Sequence, residues 1–199
     1  MQNNTFSALF IGQNLVKLSS VASTNNYLKD LVSNSGPLAE GTVIMADHQF
    51  AGKGQLQHVW ESEAGKNLTI SILLKPNFLG IEQQFELNKV VALALLDVLS
   101  PLLGSHVSIK WPNDILVDDK KIAGILIENT TKGTHLDSAI IGIGINVNEN
   151  QFKDLPLASS LRLASGNSFD ISLVLEVLLL QLKIQLTRVE NQDFEAIFN

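Results

Sequence analysis

Residues 107–128 read Val107-Ser108-Ile109-Lys110-Trp111-Pro112-Asn113-Asp114-Ile115-Leu116-Val117-Asp118-Asp119-Lys120-Lys121-Ile122-Ala123-Gly124-Ile125-Leu126-Ile127-Glu128. Val107 to Trp111 alternates, and Ile115 to Val117 and Ile122 to Glu128 flank the polar turn Asp118-Asp119-Lys120. A further apolar run, Ala139 to Val147, follows a polar turn at Asn129 to Thr134. Short β-branched runs of this kind predict strands, and links this brief favour antiparallel pairing. The centre of the chain is thus a meander.

Moving outward, Thr42 to Ala46 and Leu68 to Leu74 are also short, apolar and β-branched, and Thr69 and Ser71 break the second into period two. Ser23-Thr24-Asn25-Asn26 precedes Tyr27, Leu28, Leu31 and Val32 at helical spacing, so a hydroxyl or amide caps a helix there. Ile81 to Leu103 is too long for a strand and apolar on most faces, as expected of a helix laid on a sheet, and Gly104 ends it. Asp170 opens a last helix, to about Val189, with Ile171, Val174, Leu175, Leu178, Leu179, Leu182 and Leu186 on one broad face. Three helices mixed irregularly with strands predict an α+β domain: a mixed, largely antiparallel sheet with helices mainly on one face.

With 199 residues and 45% hydrophobic content, one self-sufficient core is the expectation. The formal charge is −6, and the longest basic run is Lys120-Lys121, which argues against a generic nucleic-acid role. Zero cysteines exclude a disulfide framework and a thiol nucleophile. Met1 to Gln13 has an apolar patch, Ala8 to Ile11, but no positive leader region, and no uninterrupted apolar run approaches about 18 residues. The plain expectation is a soluble cytoplasmic protein without membrane contact. The four histidines show no metal-ligand spacing, so no metal site is assigned to them.

Chemistry gathers at four places. In Asp47-His48-Gln49-Phe50-Ala51-Gly52-Lys53-Gly54-Gln55, two glycines could turn amides toward an anion beside Lys53, or the segment is simply a surface loop. In Lys110 to Asp114, Lys110 faces away from Val107, Ile109 and Trp111, and Pro112 fixes the direction of Asn113 and Asp114; an anion cradle and an Asx-type strand end both fit. Lys121 stands at a strand start beside Gly124. Finally, Ile141, Ile143 and Ile145 share one strand face, leaving Gly142, Gly144 and Asn146 on the other: a strip flat enough for a ligand ring, or for a closely packed helix.

Taken in order, Ser23-Thr24-Asn25, Asp47-His48-Gln49, Ala51 to Gly54, Trp60, Asn67-Leu68, Lys110 to Asp114, Lys121 to Glu128 and Gly142 to Asn146 resemble the catalytic domain of biotin protein ligases. The resemblance covers roughly residues 20–165 and implies the α+β fold shared with class II aminoacyl-tRNA synthetases. It implies ATP-dependent attachment of biotin, through biotinyl-5'-AMP, to a lysine of a biotin carboxyl carrier protein such as that of acetyl-CoA carboxylase, with magnesium accompanying the nucleotide. It assigns catalytic positions to Lys121, Lys53, Asp114 and Lys110, Lys121 bridging the biotin carboxylate and α-phosphate. Biotin contacts fall to Ser23, Thr24, Asn25, Gln49, Gly52, Gly124, Gly142 and Gly144, and nucleotide contacts to Lys53, Gln55, Trp60, Asn113 and Asn146.

Departures from the pattern carry their own expectations. The family's arginine-rich glycine loop here has Lys53, Gln55 and Leu56 at arginine positions and Gln57 at a glycine position, implying weaker or less ordered capture of the adenylate. The chain 1–199 lacks the N-terminal helix-turn-helix of DNA-binding relatives and the small C-terminal β-barrel, so a monofunctional ligase that does not bind DNA, truncated or naturally short, is expected. Such ligases often pair through sheet edges, so a homodimer is also expected. Two other readings stand beside the ligase: a non-catalytic or partly active binder of biotin or biotinyl-AMP, and a lipoate or octanoate ligase of the same fold.

Overall fold

The computed structural model describes residues 11–190. The elements are β1 (Leu15–Leu18), α1 (Thr24–Asn34), β2 (Val43–Ala46), β3 (Gly52–Lys53), β4 (Val59–Trp60), β5 (Leu68–Leu74) and α2 (Gln84–Leu103). They are followed by β6 (Val107–Lys110), β7 (Asp114–Val117), β8 (Lys120–Lys132), β9 (His135–Ile145), α3 (Leu161–Ser165) and α4 (Ile171–Glu190). Seven strands form one sheet in the order β1-β2-β5-β9-β8-β7-β6, while β3 and β4 make a separate hairpin. Only the β1–β2 pairing in the large sheet is parallel.

Strand alternation sorts the two sheet faces. Val43, Met45, Ile70, Ile72, Ile141, Ile143 and Ile145 point to one side, where α2 and α4 cover them with residues such as Leu87, Val91, Leu95, Leu178 and Leu182. Ile44, Leu73 and Ile140 point to the other side and pack with Leu28 of α1. The two long helices therefore share one face, as expected, and α1 stands alone on the opposite one. By length and composition the stretch Ile81–His106 could cross a membrane. In the fold, nine residues of α2 are buried in the protein core, which accounts for that apolar character.

Caps follow the sequence reading. The Ser23 side chain accepts from Asn26 N at the start of α1, Asp170 Oδ1 accepts from Ser172 N at the start of α4, and Gly104 ends α2 with φ 72°. The expected turn at Asn129 to Thr134 is tighter than predicted. Thr130 and Ser138 bond across β8 and β9 at 2.6 Å, and the pairing continues past a register shift between Thr130 and Thr131 to Lys132, which leaves the reversal to Gly133, at φ 63°, and Thr134. Of the N-terminal apolar patch, Ile11 is buried and the rest lies outside the described residues. β1, the β3–β4 hairpin and α3 had no clear periodic signal.

The expected apolar face of Val107, Ile109 and Trp111 is only half covered. β6 is an edge strand, so Ile109 and Trp111 remain exposed, and Trp111 leans on Phe85 with ring centroids 6.0 Å apart. Elsewhere a carboxylate is deeply enclosed. Glu149 is 5% exposed, and its Oε2 accepts from Asn67 Nδ2 at 2.7 Å and Glu63 N at 2.9 Å. It thereby ties the segment after β4 to the segment after β9. Glu149→Ala strands both donors, so a loss of about 2–4 kcal/mol is expected. The check is urea unfolding: the midpoint should fall while the m-value stays constant.

Candidate active site

An open cleft of about 420 Å³ lies on the α1 side of the sheet, bounded by α1, the β3–β4 hairpin, β8 and β9. Ser23, Thr24, Asn25, Gln49, Lys53, Trp60, Asn113, Lys121, Gly124, Gly142 and Gly144 all line it. The meander brings most of the predicted residues together, although they come from segments more than a hundred positions apart.

One part of the wall is a buried network of hydroxyls and amides. Gln49 Oε1 accepts from Thr24 N at 2.8 Å and from Thr24 Oγ1 at 3.0 Å, which directs the Gln49 Nε2 away from that contact. Ser71, fully buried, lies 2.7 Å from Thr24 Oγ1 and 2.6 Å from Asn25 Oδ1, and its single proton can serve either. Asn25 Nδ2 donates to Glu128 Oε2 at 2.9 Å, and Glu128 also pairs with Lys29. Ser71 and Glu128 had not been assigned to the site. The signal for Ser71 was present: it is a hydroxyl in an apolar strand, and β5 pairs it with Gly142.

The glycine strip is not bare. A Cβ on Gly142 would stand 2.5 Å from Asn25 Oδ1, and one on Gly144 would stand 2.5 Å from the Trp60 indole. Asn25 and Trp60 therefore lie directly on the backbone where a ligand ring was expected, and a ligand meets those side chains instead. The loop glycines also differ from expectation. Gly54 N donates to His58 O at 2.7 Å, and a Cβ on Gly52 would strike the Trp60 carbonyl. Both glycines serve the close approach of the hairpin strands, and Gly54 N is not directed toward an anion. The left-handed backbone in this loop falls at Leu56, φ 51°, with its side chain 91% exposed.

The cationic part of the cleft is Lys121. Its Nζ lies 2.6 Å from Asp114 Oδ1 and 5.7 Å from the Trp60 ring centroid. Asp114, given a catalytic position by the resemblance, stands beside the cleft's own lysine. Lys53 Nζ donates to Asn26 Oδ1 at 2.9 Å, which latches the hairpin to the first turn of α1. Asn113 holds β8 through Ile125 N→Asn113 O at 2.9 Å, next to the cis Trp111–Pro112 bond.

Five predicted residues stand outside the cleft lining: Gly52 and Asp114, placed above, and Lys110, Gln55 and Asn146. Lys110 is exposed on the edge strand β6, because β7 and β8 separate it from the cleft. Gln55 sits in the turn between β3 and β4. Asn146 is buried beneath the end of β9, where its Nδ2 donates to Ser159 O at 2.9 Å; its Oδ1 and Trp60 Nε1 have no hydrogen-bond partner among the described residues. No group of three or more His, Asp or Glu side chains that could hold a metal occurs among the described residues. Among the described residues no carboxylate lines the cleft, and Asp114 is paired with Lys121, so these residues do not build a divalent-cation site of their own.

A sequence model described as the Biotin/lipoate A/B protein ligase family matches residues 18–146. The chain belongs to this ligase family. Relatives within it include the bifunctional ligase/repressor BirA of Bacillus spizizenii, 37% identical over 175 residues, covering 85% of this chain and 53% of that protein. The biotin–[acetyl-CoA-carboxylase] ligase of Paracoccus denitrificans is 38% identical over 106 residues, covering 52% of this chain and 43% of its own length. The chain spans about half the length of the curated relatives it matches. Among solved structures, the biotin protein ligase of Aquifex aeolicus in complex with biotin and ATP superposes with TM-score 0.76 at 31% identity, covering 88% of this chain and 71% of that one. The ligase-family match spans α1 to the end of β9 and so contains nearly every wall of the cleft.

Proposed function

We propose that this chain carries the catalytic core of a biotin protein ligase. In this reading biotin is activated by Mg-ATP to biotinyl-5'-AMP and passed to a lysine of a biotin carboxyl carrier protein. The observation that carries it is the joining, in one cleft, of a hydroxyl–amide wall to a lysine ammonium held by a carboxylate. A ureido ring offers two N–H donors and a carbonyl, and the Thr24, Asn25, Gln49 and Ser71 wall supplies matching groups. The cleft is polar there, which suits biotin better than an acyl chain.

In the first step a biotin carboxylate oxygen forms a bond to the α-phosphorus, and pyrophosphate leaves. Lys121 lowers the repulsion between the two anions, and Asp114 keeps its ammonium at the cleft wall. In the second step the carrier's amine attacks the acyl carbon, AMP leaves with the bonding electrons, and the amine loses its proton. Magnesium enters with the nucleotide as part of the substrate, and no step is assigned to it.

Incubation with biotin, Mg-ATP and a carrier domain, followed by mass measurement, tests the reading. The carrier should gain one biotinyl group. Adenylate formed without carrier labelling would reduce the chain to the first half-reaction, and neither product would leave a binding relative. A melting temperature raised by biotin and not by lipoate separates the two ligand classes.

Lys53 supports a smaller prediction. It offers a point charge where the family's arginine offers a fork, and it is latched to Asn26. Lys53→Ala should slow pyrophosphate release about 3–30-fold and shorten retention of biotinyl-AMP on gel filtration. Lys53→Arg should lengthen that retention.

A further inference from the structure

The hydroxyl–amide wall of the cleft has a direction, and a carboxylate outside the lining sets it. Gly124, Leu126 and Glu128 follow one another on the α1 side of β8; the first two line the cleft, and Glu128 stands one step beyond it. Both carboxylate oxygens of Glu128 face α1. Oε2 accepts from Asn25 Nδ2 at 2.9 Å, and Oε1 lies 3.7 Å from Lys29 Nζ, one helical turn further on. An ionised carboxylate offers no proton, so it turns the nitrogen of the Asn25 carboxamide toward itself and leaves Oδ1 facing Ser71.

Three short oxygen–oxygen contacts run inward from there: Asn25 Oδ1 to Ser71 Oγ at 2.6 Å, Ser71 Oγ to Thr24 Oγ1 at 2.7 Å, and Thr24 Oγ1 to Gln49 Oε1 at 3.0 Å. Only the two hydroxyls carry protons for them, because Thr24 N holds Gln49 with its oxygen toward this chain. Three contacts share two protons, so the wall is one proton short. Its cleft-lining oxygens, Thr24 Oγ1 and Asn25 Oδ1, therefore meet a ligand as acceptors. With the carboxamide reversed, Nδ2 would supply the third proton and replace Oδ1 above Gly142, and the wall would offer a donor where it now accepts.

We propose that Glu128 is a positioning residue which, by fixing Asn25, makes this wall select a ligand ring that bears N–H donors. The assignment rests on the biotin reading, in which the two ureido nitrogens are those donors. Glu128 follows Lys121 by seven positions on β8, about 23 Å along an extended strand. Its influence is thus confined to the ring end of the cleft and spares the phosphate end.

Calorimetric biotin titration and steady-state kinetics with Mg-ATP test this on the full chain. Glu128→Ala should weaken biotin binding about tenfold, since Asn25 Nδ2 keeps only the 3.4 Å contact to Leu126 O. The KM for Mg-ATP and kcat at saturating biotin should stay within about twofold, which a general loosening of the fold would not allow. Asn25→Asp sets two carboxylates against each other and should weaken biotin about a hundredfold. Adding Glu128→Gln to it supplies a donor for the new carboxylate and keeps an acceptor facing Ser71, so about tenfold of that loss should return. This comparison of double with single variant decides the matter even if Glu128→Ala does not fold. Unchanged biotin affinity in a folded Glu128→Ala protein, an equal rise in the KM for Mg-ATP, or a double variant no tighter than Asn25→Asp overturns the assignment and leaves the ligase reading standing. A wild type that binds no biotin overturns both.

Discussion

Lys121→Ala should slow formation of the biotinyl adenylate by about 10²–10³-fold, the range found when one preorganised charge-stabilising donor is removed. Two observations support so large an effect. Asp114 holds the ammonium at 2.6 Å and the Trp60 ring lies beside it, so its position is set before any ligand arrives. Among the described residues, no other lysine or arginine lines the cleft except Lys53, whose Nζ is bonded to Asn26. Pyrophosphate release gives the rate, and biotin titration separates a binding defect from a chemical one. The Lys121 side chain is 37% exposed, so the melting temperature should move little. Full activity of a folded Lys121→Ala protein would remove this lysine from the reaction.

Gly144→Val should abolish measurable biotin binding, raising Kd by about two orders of magnitude or more through displacement of the Trp60 side chain. The added Cβ falls 2.5 Å from Trp60 Cε2 and Cζ2, and branching brings further carbons toward the cleft. The indole has little room to retreat because its backbone pairs with Gly52 in the hairpin. Gly124→Ala should be milder, since its nearest neighbours are 3.1 Å away and include the flexible end of Lys121. Calorimetric biotin titration of both variants checks the order. Equal affinity for biotin in both would show that Trp60 does not shape the pocket.

Local pattern revealed the meander, the two long helices and the Ser23 and Asp170 caps because alternation and helical spacing depend on near neighbours. Short elements escaped. β1 has four residues and β3 and β4 two each, too few for any period to appear. Lys110 and Lys121 were both marked as candidate anion partners, yet only one reaches the cleft. The difference is the position of their strands: β6 lies at the sheet edge, while β8 pairs with β9 in its interior.

By itself the sequence determined which side chains share a strand face, which residues cap helices, and that Ser23 to Asn25, Gln49, the Gly52 loop, Lys121 and the Gly142 strip form one constellation. Tertiary structure decided what those faces meet. Pairing of β5, β9 and β8 sets Ser71 beside Gly142, and Gly124 beside Gly144. The fold then lays Asn25 and Trp60 on that strip and brings Asp114 to Lys121. Facing direction is a property of consecutive backbone dihedrals, whereas contact across the cleft depends on register between strands distant in the chain, which only the packed core fixes.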